Sequence, residues 1–152
     1  MITNTDLVLK PAILYAFLKC TALLILAIIF LLLAWWLSPL FLFFSLSVTG
    51  FAWYRFLFIR NCVYTITPEL IRIRRGIFFK RTDQVEMYRV KDYIVTQSLL
   101  LQMFRLMNVT LKSTDPENPV IWMRGIPVSD LIDIIREHVQ EARKTNRIYE
   151  IN

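Results

Sequence analysis

The sequence predicts a two-helix transmembrane hairpin followed by a mainly-β barrel or sandwich that one C-terminal α-helix closes. Three observations support this fold class. No charged residue lies between Cys20 and Tyr54. After Arg60 the sequence changes to short stretches of alternating apolar and polar residues. Near the C-terminus, from Val128 to Ala142, apolar residues recur three and four apart, which is helical spacing.

The uncharged segment is too long for one membrane-spanning helix. It contains about 35 residues, and a helix of that length measures roughly 50 Å, whereas the hydrocarbon core of a bilayer is about 30 Å thick. Ser38-Pro39 interrupts the segment near its middle, and proline favours the end of a helix. The sequence therefore predicts two spans, at residues 14–37 and 40–58. A secretory signal peptide is not expected, because the apolar run exceeds the length of one.

The charges around the two spans predict their orientation. Lys10 and Lys19 precede the first span, and Arg55 and Arg60 follow the second, whereas the connecting turn carries no charge. The positive-inside rule then assigns both termini to the cytoplasm. No ionisable residue lies at mid-membrane, so we interpret the hairpin as an anchor in the lipid bilayer rather than as an ion path.

The part after the hairpin predicts a series of short strands. In the clearest of them, Ile71 and Ile73 share one face and basic residues occupy the other. Gly76 and the stretch 115–119 supply turns. Strands at such close spacing favour a small antiparallel barrel or sandwich. The predicted strands cover residues 62–67, 70–75, 78–82, 85–87, 93–97, 109–112 and 120–123.

The C-terminal stretch predicts an amphipathic helix over residues 127–145. Pro127 suits the first turn of a helix. Acidic residues lie near the start of the stretch, and Arg143 and Lys144 lie near its end, which complements the helix dipole. We expect the apolar stripe of this helix to pack on the sheet and residues 147–152 to form a frayed tail.

Several meandering strands followed by one closing helix resemble a pleckstrin-homology (PH) domain. The stretches 64–67, 71–81 and 90–100, with Gly125-Ile126-Pro127 before the helix, are similar to those of the bacterial membrane-flanked PH-domain family. A membrane hairpin ahead of the domain is typical of that family. The resemblance implies a PH-like fold and an address at the bacterial inner membrane, and it implies no reaction.

The predicted organisation has four parts. They are a cytoplasmic N-terminus at 1–13, the hairpin at 14–59, a cytoplasmic PH-like domain at 60–146 and the tail. One stretch departs from the family pattern. Where we expect a turn that contains glycine, the chain has Arg105-Leu106-Met107-Asn108. We expect Asn108 to supply the positive φ of that turn, since asparagine tolerates it.

Residues that carry catalysis or hold cofactors are scarce, so we expect no enzymatic activity. His138 is the only histidine, and it lies among charged residues of the predicted helix. Without a second histidine or paired cysteines, a zinc site lacks ligands. Three widely separated glycines cannot build a phosphate-cradling loop. No metal, cofactor or small-molecule substrate is therefore expected. No nucleic acid is expected either, because the positive-inside charges account for the basic balance of the chain.

One predicted hairpin of strands collects basic residues close to the membrane exit at Arg60. A basic residue near an anionic leaflet contributes about 1 kcal/mol, and the domain is already anchored, so these charges would orient it. Three interpretations stay open here: a solvated polar face, contact with anionic lipid headgroups, and contact with an acidic protein partner. The candidate residues are Arg72, Arg74, Arg75, Lys80 and Arg81.

Residues 99–107 form a second unusual stretch, which is too apolar for an exposed loop. One interpretation is a short helix that plugs an end of the barrel, with Leu100 and Phe104 pointing inward. The other is a contact surface for a partner, for a second copy of the chain or for the membrane, because Met and Leu form adaptable interfaces. The candidate contact residues are Leu99, Met103, Phe104 and Met107.

Together these observations predict a non-catalytic scaffold or adaptor of the inner membrane. Its cytoplasmic domain would bind protein partners or self-associate, and contact with anionic headgroups stays open as an addition. The alternative is an accessory subunit of a membrane transport, secretion or envelope-stress complex, in which the hairpin packs against other transmembrane helices.

Overall fold

The structure, a computed structural model, describes residues 6–145. A three-residue strand is followed by two long apolar helices, two antiparallel sheets and a C-terminal helix. The predicted order of a helical hairpin, a mainly-β part and one closing helix is thereby confirmed. The predicted tail, 147–152, lies outside the described residues.

Helices α1 (Ile13–Trp36) and α2 (Phe41–Arg60) form the hairpin and are long and apolar enough to cross a membrane. Their most apolar windows have mean hydropathies of 2.7 and 1.5, and only 17% and 11% of those windows are buried. The core helix of a soluble protein would be mostly buried instead. This exposure of apolar surface along both helices is what helices in lipid present.

Small and polar side chains join α1 to α2. Cys20 Sγ donates a hydrogen bond to the carbonyl of Ala52 at 3.5 Å, and Ser45 Oγ donates to that of Ala27 at 2.9 Å. Small residues let helices approach closely in a membrane, and such bonds satisfy groups that lipid cannot. Three further hydroxyls donate to the carbonyl four residues earlier in their own helix, namely those of Thr21, Ser47 and Thr49.

The first sheet has the strand order β1-β2-β3-β4 and is antiparallel throughout. Its first strand precedes the hairpin in the chain and its second strand follows the hairpin, yet the two pair, with Leu9 opposite Tyr64. Sequence analysis did not predict β1, because three residues are too few to show an alternating pattern. The strands are β1 (Leu7–Leu9), β2 (Val63–Ile66), β3 (Leu70–Arg75) and β4 (Arg81–Glu86).

The second sheet contains three antiparallel strands in the order β5-β6-β7. A 3-10 turn at Met87–Arg89 leads into it from β4, and a short helix, α3, connects its first two strands. The elements are β5 (Val90–Thr96), α3 (Leu99–Met103), β6 (Leu106–Ser113) and β7 (Val120–Pro127).

One hydrophobic core lies between the two sheets and helix α4 (Leu131–Thr145). Each of these three layers contributes fully buried side chains, for example Ile71 of the first sheet, Met123 of the second sheet and Ile135 of α4. Burying each such side chain stabilises the fold by roughly 1.5–3 kcal/mol. No hydrogen-bonded ladder joins the two sheets within residues 6–145. The prediction of a barrel or sandwich is therefore not confirmed in that detail.

Two predicted boundaries are wrong. The predicted strands at 78–82 and 85–87 are one strand, β4, which begins only at Arg81 because residues 76–80 form the turn. The predicted helix at 127–145 begins at Leu131 instead, because Pro127 is the last residue of β7, opposite Leu106. A hydrogen bond from Val128 N to Arg105 O extends this pairing at 2.9 Å.

The turn before β6 also differs from the prediction. Arg105, and not Asn108, adopts the positive φ, at 51°. Asn108 lies within β6, and its Oδ1 accepts a hydrogen bond from Gly125 N at 2.8 Å. The asparagine thus serves the neighbouring strand β7 rather than the turn.

Candidate membrane and partner surfaces

The hairpin is joined to the second sheet by a small hydrophobic cluster, which we call the seam. Tyr15, in the first turn of α1, packs there with Leu101 and Leu106, and Ala12 and Ile59 complete the cluster. The seam therefore connects the start of α1 and the end of α2 to α3 and β6. We call these two helix ends, which adjoin the sheets, the inner ends of the hairpin. None of its members was singled out as a site residue by sequence analysis.

Two hydrogen bonds, one from the backbone and one from a side chain, fasten the seam. Ala12 N donates to Gly125 O at 2.8 Å, and Arg60 Nη1 donates to Pro11 O at 2.9 Å. Gly125 has a φ of +65°, and a Cβ atom there would lie 2.1 Å from Cγ of Tyr15. Only glycine allows so close an approach of β7 to α1.

Helix α3 lies on this seam and presents apolar side chains on its outer side. Leu101 points inward and is buried, whereas Leu99 and Met103 are 80% and 74% exposed. Leu100 and Phe104, which we predicted as the plug, are exposed as well. The inward residue of the segment is thus one position away from the predicted one, because a short helix turns only one side toward the seam.

Met107 does not share the exposed surface of α3. Its side chain is 3% exposed and belongs to the main core, since Met107 lies in β6 and points between the sheets. Of the four predicted contact residues, Leu99, Met103 and Phe104 are exposed, and Met107 is not available for contact.

The five basic candidates do not form one continuous patch. Arg72 and Arg74 alternate with buried isoleucines, so both lie on the outer face of the first sheet. Arg75 and Arg81 are paired across β3 and β4 at the end of the sheet, where both bind Asp83. The carboxylate of Asp83 therefore forms ion pairs with two of the five basic candidates.

Asp83 is a nearly buried carboxylate held by two cations. Arg81 Nε donates to its Oδ1 at 2.7 Å, and Arg75 Nη2 donates to its Oδ2. Burial by itself raises the pKa of Asp83, but the hydrogen bonds from Arg81 and Arg75 outweigh burial and hold the pKa below its ordinary value. The single negative charge of Asp83 therefore neutralises part of the positive charge of the two arginines and holds both side chains in position.

The turn between β3 and β4, residues 76–80, exposes two aromatic side chains. Phe78 is 82% and Phe79 is 93% exposed, and Lys80 beside them is exposed too. Gly76 has a φ of +110°, and a Cβ there would lie 1.9 Å from the carbonyl oxygen of Phe79. Sequence analysis predicted a turn at Gly76 but not its extent to residue 80, because it assigned Phe78 and Phe79 to a strand. Two adjacent phenylalanines were the available signal, since strand alternation buries only one of them.

The buried side chains of Tyr64 and Cys62 are not activated for chemistry. Tyr64 is buried, which raises its pKa to about 12, and its hydroxyl accepts a hydrogen bond from Arg124 N at 3.2 Å. Burial also raises the pKa of the Cys62 thiol, so little of it is the reactive thiolate. Within residues 6–145, His, Cys, Asp and Glu form no cluster of three that could hold a metal ion. A cavity of about 40 Å³ near Ile73 and Asp83 has room for water only.

Two sheets share a core with one C-terminal helix, and the seam fixes them to a hairpin of two helices that are long and apolar enough to cross a membrane. The sequence profile of the bacterial PH domain family matches residues 7–143. The chain belongs to the bacterial PH domain family, and the resemblance seen in the sequence is confirmed. The matched region begins at β1, so it includes the hairpin and both sheets. No curated protein and no solved structure matches the chain.

Proposed function

We propose that this protein is a non-catalytic adaptor that holds a PH-like binding domain against the cytoplasmic face of a bacterial inner membrane. The observation that carries this proposal is the insertion of the hairpin between two paired strands, β1 and β2. Both ends of the anchor are thereby attached to one sheet. A domain held at two points and at the seam keeps a constant position relative to the bilayer, which suits a docking platform.

The orientation follows from the same connection. Because β1 and β2 pair, the two inner ends of the hairpin lie on the same side of any membrane it crosses. Lys10, Lys19, Arg55 and Arg60 flank those ends, and the turn at the other end is uncharged. The positive-inside rule supports a cytoplasmic domain. Removal of α1 as a signal peptide would also remove β1 from the sheet.

A non-catalytic role agrees with the family, whose members are generally without enzymatic activity. It also agrees with the chemistry of the described residues. The Cys62 thiol has a raised pKa, and a nucleophilic cysteine needs a lowered one. Asp83 is engaged by Arg75 and Arg81, so it is not free to act as a general base.

The outer side of α3 is the surface that we propose for a protein partner. Leu99 and Met103 are exposed directly beside the seam, at the inner ends of α1 and α2. A surface that covers them has to approach at the level of the membrane. This requirement favours a second copy of the chain or another membrane protein over a freely diffusing one.

An accessory subunit of a transport, secretion or envelope-stress complex remains the alternative function. Such a subunit would pack its hairpin against other transmembrane helices, for which polar side chains are a common means of attachment. In this hairpin Cys20 and Ser45 bond across to the other helix. Thr21, Ser47 and Thr49 bond within their own helices. Because these groups are used internally, we favour the adaptor.

Thiol cross-linking in native membranes tests the partner surface. Leu99→Cys and Met103→Cys should each give a cross-linked product, of twice the chain mass for self-association or of another mass for a different membrane protein. Gln140→Cys, which is exposed on α4, is the matched control and should give none. Absence of any product at both α3 positions would contradict a protein contact there.

A further inference from the structure

We propose that residues 76–80 form a membrane-contacting tip, in which Phe78 and Phe79 enter the interfacial layer of the bilayer and Lys80 lies among the lipid phosphates. The inference rests on the membrane placement of the hairpin proposed above and is independent of any protein partner. Sequence analysis considered only the basic side chains of this strand hairpin as lipid contacts, and the proposal adds the two phenylalanines.

The exposure of the two phenylalanines is the first argument. At 82% and 93% they have almost no contact with the rest of the chain, although the core of the same domain is well filled. Adjacent large aromatic side chains on a protruding turn are unfavourable in water and mark a contact site. Gly76 and the close approach of the Phe79 carbonyl to it shape the turn, so the exposure is a property of the backbone.

The position of the turn is the second argument. Strand register sets Val63 opposite Arg74, and Val63 comes three residues after Arg60, where α2 ends. Paired Cα atoms lie about 5 Å apart, so β3 ends beside the inner end of the hairpin. Residues 76–80 continue from that point with a reach of about 3.3 Å per residue. The opposite end of β3, which Glu69 immediately precedes, is directed away from the hairpin.

Charge is the third argument and favours lipid over an apolar protein groove. Arg75, Lys80 and Arg81 surround the two phenylalanines, and Asp83 neutralises only one of these three charges. Aromatic side chains enter the boundary between headgroups and acyl chains, while cations beside them attract anionic headgroups. Because Asp83 holds the two arginines, the base of the tip is rigid and the phenylalanines need little ordering to insert.

Depth-dependent quenching in proteoliposomes tests the proposal on the full chain. Cys20 and Cys62 are first replaced by Ala, and a bimane label is then attached to Phe79→Cys. The chain is reconstituted in anionic bilayers whose lipids carry a quencher near the headgroup. We expect quenching at least about twofold stronger than for a label at Glu69→Cys, because interfacial insertion reaches roughly 5–10 Å into the boundary. Glu69 is the matched control, since it is exposed and immediately precedes β3, at the end of that strand opposite to the turn.

One further label makes the outcomes distinguishable. A label at Ile28→Cys, on the exposed surface of α1, reports whether the hairpin is in the bilayer. This label is measured with quenchers attached to the lipid acyl chains, because Ile28 lies near the middle of α1. If these quenchers do not reach Ile28, the membrane placement itself fails. If Ile28 is quenched and Phe79 behaves like Glu69, the tip alone is refuted.

The label must also be shown not to insert by itself. With Phe78→Ser and Lys80→Ser added, quenching at Phe79→Cys should fall to the Glu69 value. Unchanged quenching would mean that the dye enters the bilayer unaided and would overturn the proposal. A label shielded from aqueous iodide but untouched by lipid quenchers would likewise overturn it, because a protein surface would then cover the tip.

Discussion

At the scale of single residues, the contact between Gly125 and Tyr15 decides how the second sheet packs against the hairpin. The carbonyl of Gly125 accepts the hydrogen bond of Ala12 N, and the ring of Tyr15 occupies the space where a side chain would be. The chain contains three glycines, and they have different roles. Gly76 and Gly125 adopt positive φ, whereas Gly50 lies in α2 and, within residues 6–145, has open space where a Cβ atom would lie.

We expect Gly125→Ala to destabilise the protein by about 2–3 kcal/mol, because it combines an unfavourable φ with a clash against the ring of Tyr15. Gly50→Ala is the matched control and should be neutral or slightly stabilising, since alanine favours a helix. Thermal unfolding of both variants in the same detergent gives the comparison. Equal melting temperatures for the two variants would contradict the role of Gly125 in the seam.

At the scale of elements, α3 and the β3–β4 hairpin show how neighbouring residues acquire opposite roles. In α3 a single turn of helix directs Leu101 into the seam and Leu99 outward. In the β3–β4 hairpin, Arg74 lies on the outer face whereas Arg75 turns to the end where Asp83 is buried. Each of these differences arises within one or two positions of sequence.

Leu101→Ala should therefore destabilise the protein by about 2 kcal/mol, because it leaves a cavity at the seam. Leu99→Ala should change stability by less than about 0.5 kcal/mol, as expected for an exposed position, and should instead weaken the cross-linking proposed at Met103. Chemical denaturation and cross-linking yield measure the two effects. If Leu99→Ala unfolds as easily as Leu101→Ala, the assignment of inner and outer sides of α3 is wrong.

Asp83→Asn should loosen the β3–β4 hairpin and cost about 1 kcal/mol, a modest value because both arginine partners are partly exposed to solvent. The pKa of Asp83 is lowered in the folded state, so its stabilisation is present above the unfolded value of about 4 and is lost as the pH falls through the folded pKa. Melting temperatures of the natural and Asp83→Asn proteins should thus converge below pH ~4.

Glu117→Gln supplies the control for that comparison, because Glu117 is an exposed carboxylate that forms no ion pair in the described part of the chain. Its melting temperature should follow that of the natural protein at every pH. A difference between natural and Asp83→Asn proteins that persists undiminished at acid pH would contradict the role given to the ionised carboxylate.

At the scale of the whole molecule, the placement of the apolar hairpin between two paired strands joins the hairpin and the sheets. β1 comes before the hairpin and cannot pair with β2 until α1 and α2 have both been made. The exposed apolar surfaces of α3 and of the β3–β4 turn belong to the side of the domain from which the hairpin leaves.

The orientation of the whole molecule is the last prediction. In intact cells, Ser38→Cys in the turn between α1 and α2 should react with an impermeant thiol reagent, whereas Glu69→Cys in the domain should react only after permeabilisation. The natural cysteines, Cys20 and Cys62, are buried and free, so background labelling should be low. The reverse pattern would refute the positive-inside argument.

Much of the architecture was predictable because it depends on local patterns. The uncharged run around Ser38-Pro39 specifies two apolar helices, and the alternation of Ile71 and Ile73 with arginines specifies a half-buried strand. The spacing of Leu131 and Ile135 specifies an amphipathic helix. The order of these elements, together with stretches such as 71–81 and 90–100, also pointed to the bacterial PH domain family.

Only the tertiary structure decided what depends on pairing between distant residues. The strand at Leu7–Leu9 exists because β2 pairs with it across the length of the hairpin, and no local pattern reports such a partner. Likewise Pro127 extends a strand because Leu106 lies opposite, and Met107 is buried because the two sheets meet around it. Helices and turns are determined by residues a few positions apart, whereas sheet edges and the seam are determined by residues that meet only after folding.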